Sequence, residues 1–217
     1  MMGCARRQVC RSAAVVSMIA PMMLAATSCS PGNSSESTVE ANASATVSAT
    51  ETTEADGVSV AVAEAAPGLT IEIAADAYTA PPDTYSDGRR GVTYHVDNEA
   101  VSYTVIVEHY EPGGKTASEV LESELGAFEL QGASAGVTQS DVAVEGSEAA
   151  YRLDWTQSAE VPWSAEDDTE IDVQCSGVIF DGQDGYSYAV YVYAEVSDEA
   201  SLAAVADVID SIEVTQP

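Results

Sequence analysis

The 217-residue chain sets 36 acidic side chains against seven basic ones, a net charge of −29. A field of that sign repels nucleic acid and anionic membrane surfaces, so neither is expected as a partner through charge. Two histidines and four cysteines leave little material for a metal or redox centre, and no cofactor is expected.

The chain begins with Arg6, Arg7 and Arg11, a mostly apolar run from Ala13 to Ala26, the small residues Thr27 and Ser28, and then Cys29. Basic, apolar, small, cysteine is the order of a secretory signal whose cleavage site abuts a lipidated cysteine. Residues 1–28 are therefore expected to be a lipoprotein signal. Cys29 would become the lipid-bearing N-terminus on the extracytoplasmic face of a bacterial cell membrane. The apolar run is shorter than the roughly 20 residues needed to span a bilayer, and Ser17 and Pro21 break it. Cleavage elsewhere, giving a plain secreted protein, is the alternative. Cys4 and Cys10 fall in the signal, so Cys175 is the one thiol left in the mature part, which also keeps only Arg89, Arg90, Lys115 and Arg152 as basic residues.

Residues 29–57 are rich in Ser, Thr, Ala and Glu, and 30–57 hold no aromatic, Leu or Ile. Such a stretch cannot bury enough apolar surface to offset its chain entropy and reads as a disordered tether. Residues 58–217 contain both tryptophans and all ten tyrosines and are long enough for one domain with a sizeable core.

Within that domain Leu69, Ile71 and Ile73 alternate with polar residues, as do Val92, Tyr94 and Val96, then Val101 to Val107, then Tyr151, Leu153 and Trp155. Period two over several segments predicts an antiparallel sheet with one buried face. Segments 171–180 and 186–195 flank Gly182-Gln183-Asp184-Gly185, a hairpin signal. A helix is predicted from Thr116, which with Glu119 forms a capping-box signature, through Leu121, Leu125 and Phe128 to Gly132. A second follows Ser197, with Asp198 and Glu199 in its first turn and a stripe of Leu202, Val205, Ile209 and Ile212. The expected fold class is α+β, a single antiparallel sheet covered by two helices in the order βββ-α-ββββ-α.

That order, with Ala150-Tyr151-Arg152-Leu153 in a meander and Val208-Ile209-Asp210-Ser211-Ile212 near the end, resembles the PsbP-like αβα sandwich over residues 68–214. Actinobacterial lipoproteins are among the proteins with that fold. The resemblance implies a small binding or assembly-assisting protein without a catalytic centre, an argument by analogy of fold.

Gly132-Ala133-Ser134-Ala135-Gly136 matches the G-x-S-x-G pattern, but it follows a predicted helix, and both histidines lie upstream of it. A nucleophile elbow needs a strand-to-helix turn, so this segment reads as a loop. His95 takes the polar parity of its strand, and His109 ends a strand beside Tyr110 and Glu111. Cys175 shares a parity with Ile171, Val173 and Ile179, the setting of a buried, inert thiol. Asp181 and Asp184 of Asp181-Gly182-Gln183-Asp184-Gly185, and Glu166-Asp167-Asp168-Thr169-Glu170, are candidates for a hard cation such as calcium, although neither has EF-hand spacing.

Tyrosines crowd the last hairpin, Tyr186 and Tyr188 on one parity, Tyr191 and Tyr193 on the other, while Trp155 and Trp163 bracket the acidic loop. Aromatic side chains on a rigid sheet make a ligand or partner surface, and Tyr191, Tyr193, Trp155 and Trp163 are the candidates for it. The expected protein is a lipid-anchored envelope lipoprotein that binds an envelope protein, a glycan or a cation and performs no chemistry. The alternatives are a surface hydrolase of glycans or peptides, requiring a cleft that joins acids with His109, and a structural envelope-assembly component.

Overall fold

The computed structural model describes residues 52–55, 58–133, 136–163 and 170–216. Cys29, the expected signal, Ser134 and the acids at 166–168 lie outside them. Strands β1 (Thr52–Ala55), β2 (Val58–Ala66) and β3 (Leu69–Ala74) are followed by the two-residue β4 (Tyr78–Thr79) and β5 (Asp83–Thr84). Then come β6 (Arg90–Asp97), β7 (Ser102–Tyr110), helix α1 (Ala117–Leu130) and β8 (Thr138–Val142). The chain continues through β9 (Ala150–Glu160), β10 (Glu170–Asp181), β11 (Ser187–Glu195), helix α2 (Glu199–Asp210) and β12 (Glu213–Val214).

The expectation of one sheet under two helices is corrected. The described residues are dominated by strands and form two sheets, a four-stranded one in the order β1-β2-β3-β12 and an eight-stranded one in the order β4-β6-β7-β11-β10-β9-β8, with β5 also on β6. The physical reason lies in β2. Its inward positions are the small Ala61, Ala63 and Ala65, whereas Val60 and Val62 are half-buried on the outward side. The usual apolar-in alternation is therefore blurred. Across the ladder each small residue faces a large one, Ala61 opposite Ile73 and Ala63 opposite Ile71. Strand β1, Thr52–Ala55, lies inside the stretch read as tether.

One face of the large sheet, the core face, carries Val92, Tyr94 and Val96 of β6, Tyr103, Val105 and Val107 of β7, and Tyr188, Val190 and Val192 of β11. Against it pack Leu69, Ile71 and Ile73 of the small sheet and Val205, Val208 and Ile209 of α2. Each fully buried aliphatic side chain contributes about 1.5–3 kcal/mol, so this layer supplies most of the fold's stability. A few polar atoms set the register between layers. The Tyr188 hydroxyl donates to the Pro67 carbonyl at 2.5 Å, and the Glu72 amide donates to the Ser211 hydroxyl at 2.8 Å. Asp198 caps α2 from outside rather than sitting in its first turn, accepting from the Ser201 amide at 3.1 Å. Among the described residues no helix is long and apolar enough to cross a membrane.

Candidate binding face

Helix α1 covers part of the opposite face of the large sheet, the α1 face. Thr116 and Glu119 form both halves of the capping box, with the Thr116 amide donating to Glu119 Oε2 at 2.9 Å. The Asp181 carboxylate accepts the Ala117 amide at 2.8 Å, tying the start of α1 to the end of β10. Ala117, Val120, Leu121 and Glu124 are the buried residues of the helix. Their spacing of three and four makes one helical stripe, and its fourth seat is an acid. The stripe rests on Leu153, Ile179, Ala189, Tyr110 and Tyr191.

Beneath Glu124 lies a buried charge cluster. Arg89 Nη1 pairs with Glu108 Oε2 at 2.7 Å, and both side chains are at most 8% exposed. The guanidinium carbon stacks 4.1 Å from the centre of the Tyr85 ring, and Arg89 Nε is buried with no hydrogen-bond partner. Register places Gly91 opposite Glu108, where a Cβ would press to 3.3 Å from the Tyr85 ring. Burial, and secondarily the Glu108 charge, push the Glu124 carboxyl up to about 7. Burial also raises Glu108, against the opposing pull of Arg89. Burial works to raise Asp87 as well, but hydrogen bonds from the Tyr110 hydroxyl at 2.8 Å and the Arg89 amide at 3.2 Å outweigh it and hold that carboxyl low. The Tyr191 hydroxyl makes no hydrogen bond of normal geometry, yet Glu124 lies close enough that the two groups perturb each other.

Tyr191, expected at the surface, is instead core, 7% exposed under α1. Gly177 makes room for it: a Cβ there would sit 2.7 Å from the Tyr191 ring. The other three predicted aromatics are half-buried and gather around the buried Val161, Val173 and Cys175. Trp155 contacts Phe128 of α1 edge-on at 5.3 Å and Tyr191 at 6.4 Å, and Trp163 leans on Tyr193 at 5.9 Å.

Register reveals what period-two reading missed. Trp155 lies opposite Cys175, Cys175 opposite Tyr193, Tyr193 opposite Thr104, Thr104 opposite His95 and His95 opposite Tyr78. These six residues form one row across six neighbouring strands, spanning about 24 Å at the usual strand spacing. Tyr78 is 63% exposed and stacks on the His95 ring. Nδ1 of His95 and the Thr104 hydroxyl are 3.0 Å apart, and burial lowers the His95 proton affinity. Cys175 is buried beneath Val161 and Trp163, and burial pushes its thiol up to about 12, the state of an unreactive thiol.

The two hairpin-turn acids do not converge on a cation. Asp181 is committed to the start of α1, and Asp184 sits in the turn with φ of 56°. Among the described residues no group of three or more His, Cys, Asp or Glu is placed to hold a metal ion. His109 lies half-buried between strands on the core side, near Tyr186 and Tyr188 at 6.3 and 6.5 Å. A hollow of about 410 Å³ lies far from it in the sheet, between Val142–Glu145, Arg152 and the end of α2. The chain matches no protein-family profile, and no curated protein matches it in sequence.

Proposed function

We propose that this chain is a lipid-anchored extracytoplasmic lipoprotein whose folded domain binds a ligand or partner along the α1 face without chemistry. The observation that carries the reading is the cross-sheet row from Trp155 to Tyr78, with Trp163 laid over Tyr193. The half-buried rings of Trp155, Trp163 and Tyr193 at one end and the exposed Tyr78 beside half-buried His95 at the other, with Thr104 and Cys175 buried between them, suit an elongated, largely uncharged ligand such as a glycan or an extended peptide. The strong negative charge disfavours an acidic one. The anchor rests on the residue order ending in Cys29.

Binding is tested by titrating neutral envelope glycans and peptides against the soluble chain and its Trp163→Ala and Tyr78→Ala variants. Each truncation is expected to weaken binding about fivefold to thirtyfold, the range of one well-placed aromatic contact. Unchanged affinity in both contradicts the row as the site. The anchor is tested separately. Cys29→Ala is expected to move the protein from the membrane to the soluble fraction, and a variant that stays membrane-bound contradicts the lipoprotein reading.

A further inference from the structure

Helix α1 is held by an arrangement that counts its charges unevenly. Two acids, Glu108 from β7 and Glu124 from α1, share one buried cation. Arg89, entering from the turn before β6, is already committed to Glu108 at 2.7 Å. Tyr191 approaches Glu124 from β11 with an unsatisfied hydroxyl, and Lys115, just before the helix, is more than a third exposed and turned 3.9 Å from Asp87. Nothing in this set neutralises a second carboxylate, and a buried unpaired charge is costly. Elsewhere α1 is held by Val120, Leu121 and the edge contact of Phe128 on Trp155. Gly113 and Gly132, both with positive φ, bound the segment that carries it.

We propose that α1 is an acid-latched cover: neutral Glu124 keeps it seated, and ionised Glu124 favours its lifting, which exposes Tyr191 and frees Trp155 from Phe128. The link to ligand binding rests on the proposed function of the α1 face, but the latch itself is tested without ligand. Seated, Glu124 releases its proton only near pH 7; lifted into water it releases it in the ordinary glutamate range. Opening therefore becomes easier as pH rises from about 4.5 to about 7, by about tenfold per pH unit, and levels off above that window.

The test is hydrogen exchange of the α1 amides from Val120 to Phe128 in the full chain, corrected for the intrinsic effect of pH on exchange. Protection is expected to fall by about fortyfold between pH 5 and 7 in the native protein. Glu124→Gln, the isostere of the neutral acid, is expected to show no such slope. An equal slope in both chains, or none in the native one, overturns the latch. Where Glu124→Gln does not fold, the native chain alone decides: α1 protection that does not fall between pH 5 and 7 overturns the latch. Failure of the ligand titration with this exchange pattern intact would reject the binding site and leave the latch standing.

Discussion

The two faces of the eight-stranded sheet are written into the same strands at alternate positions, yet they are held by different forces. On the core face Val105, Val107, Val190, Val192, Val178 and Phe180 meet the small sheet and α2 almost entirely through apolar atoms. Among the described residues its one buried misfit is the Tyr94 hydroxyl, which lacks a hydrogen-bond partner and is pushed up to about 12 by burial. On the α1 face an ion pair, a second acid and the Tyr191 hydroxyl are sealed under a single helix. Apolar packing is indifferent to pH, whereas a buried acid makes the seat of α1 a titratable quantity. Stability and adjustability are thus separated across one layer of backbone.

Damage to each face in turn separates the two kinds of force. Phe180→Ala, opening a void in a fully buried site, is expected to cost about 3–5 kcal/mol in urea unfolding at every pH. Arg89→Met, which strands Glu108 and Glu124 without a cation, is expected to cost about 3–5 kcal/mol at pH 7. Much of that loss should return near pH 4.5, where both acids bind protons. Equal pH profiles for the two variants would erase the distinction. Glu108→Gln sharpens it further. With Glu108 neutral, Arg89 is free to turn to Glu124, so the exchange window of α1 is expected to move to lower pH. Thr116→Ala removes the cap of α1 and is expected to cost about 1 kcal/mol, with lost protection confined to the helix. The smallest effect has the opposite sign. Tyr94→Phe deletes the orphan hydroxyl of the core face and is expected to stabilise by less than about 1 kcal/mol.

Strands β3, β6, β7 and β9 were legible because their apolar residues alternate, and α1 because Thr116 and Glu119 signal its start. The small sheet was not, since β2 turns alanines inward and valines outward. The α1 face was legible only in part. Parity placed Tyr191 with Tyr193, and Trp155 and Trp163 joined them as brackets of the acidic loop, but what covers a face is decided by long-range packing, so Tyr191 passed for a surface residue. Glu108 and Glu124 did not stand out in the sequence, because acids on strands and helices are usually solvated. One local signal was present: Ala117, Val120, Leu121 and Glu124 keep stripe spacing. Another was Gly177 in mid-strand, a mark of close approach that Tyr191 fulfils.

The claim that α1 is seated by a neutral acid is tested most directly by the stability difference between Glu124→Gln and the native chain as a function of pH. Burial lowers the proton affinity of His95 and His109, which destabilises the fold as pH falls through the ordinary histidine range. Both chains carry these histidines, so their effect cancels in the difference. The Glu124 carboxyl, raised to about 7 in the fold, contributes in the other direction: the native chain loses stability as pH rises from about 4.5 to 7. The advantage of Glu124→Gln is expected to grow by about 3 kcal/mol across that window and to stay constant above it. A difference that does not change with pH would contradict it.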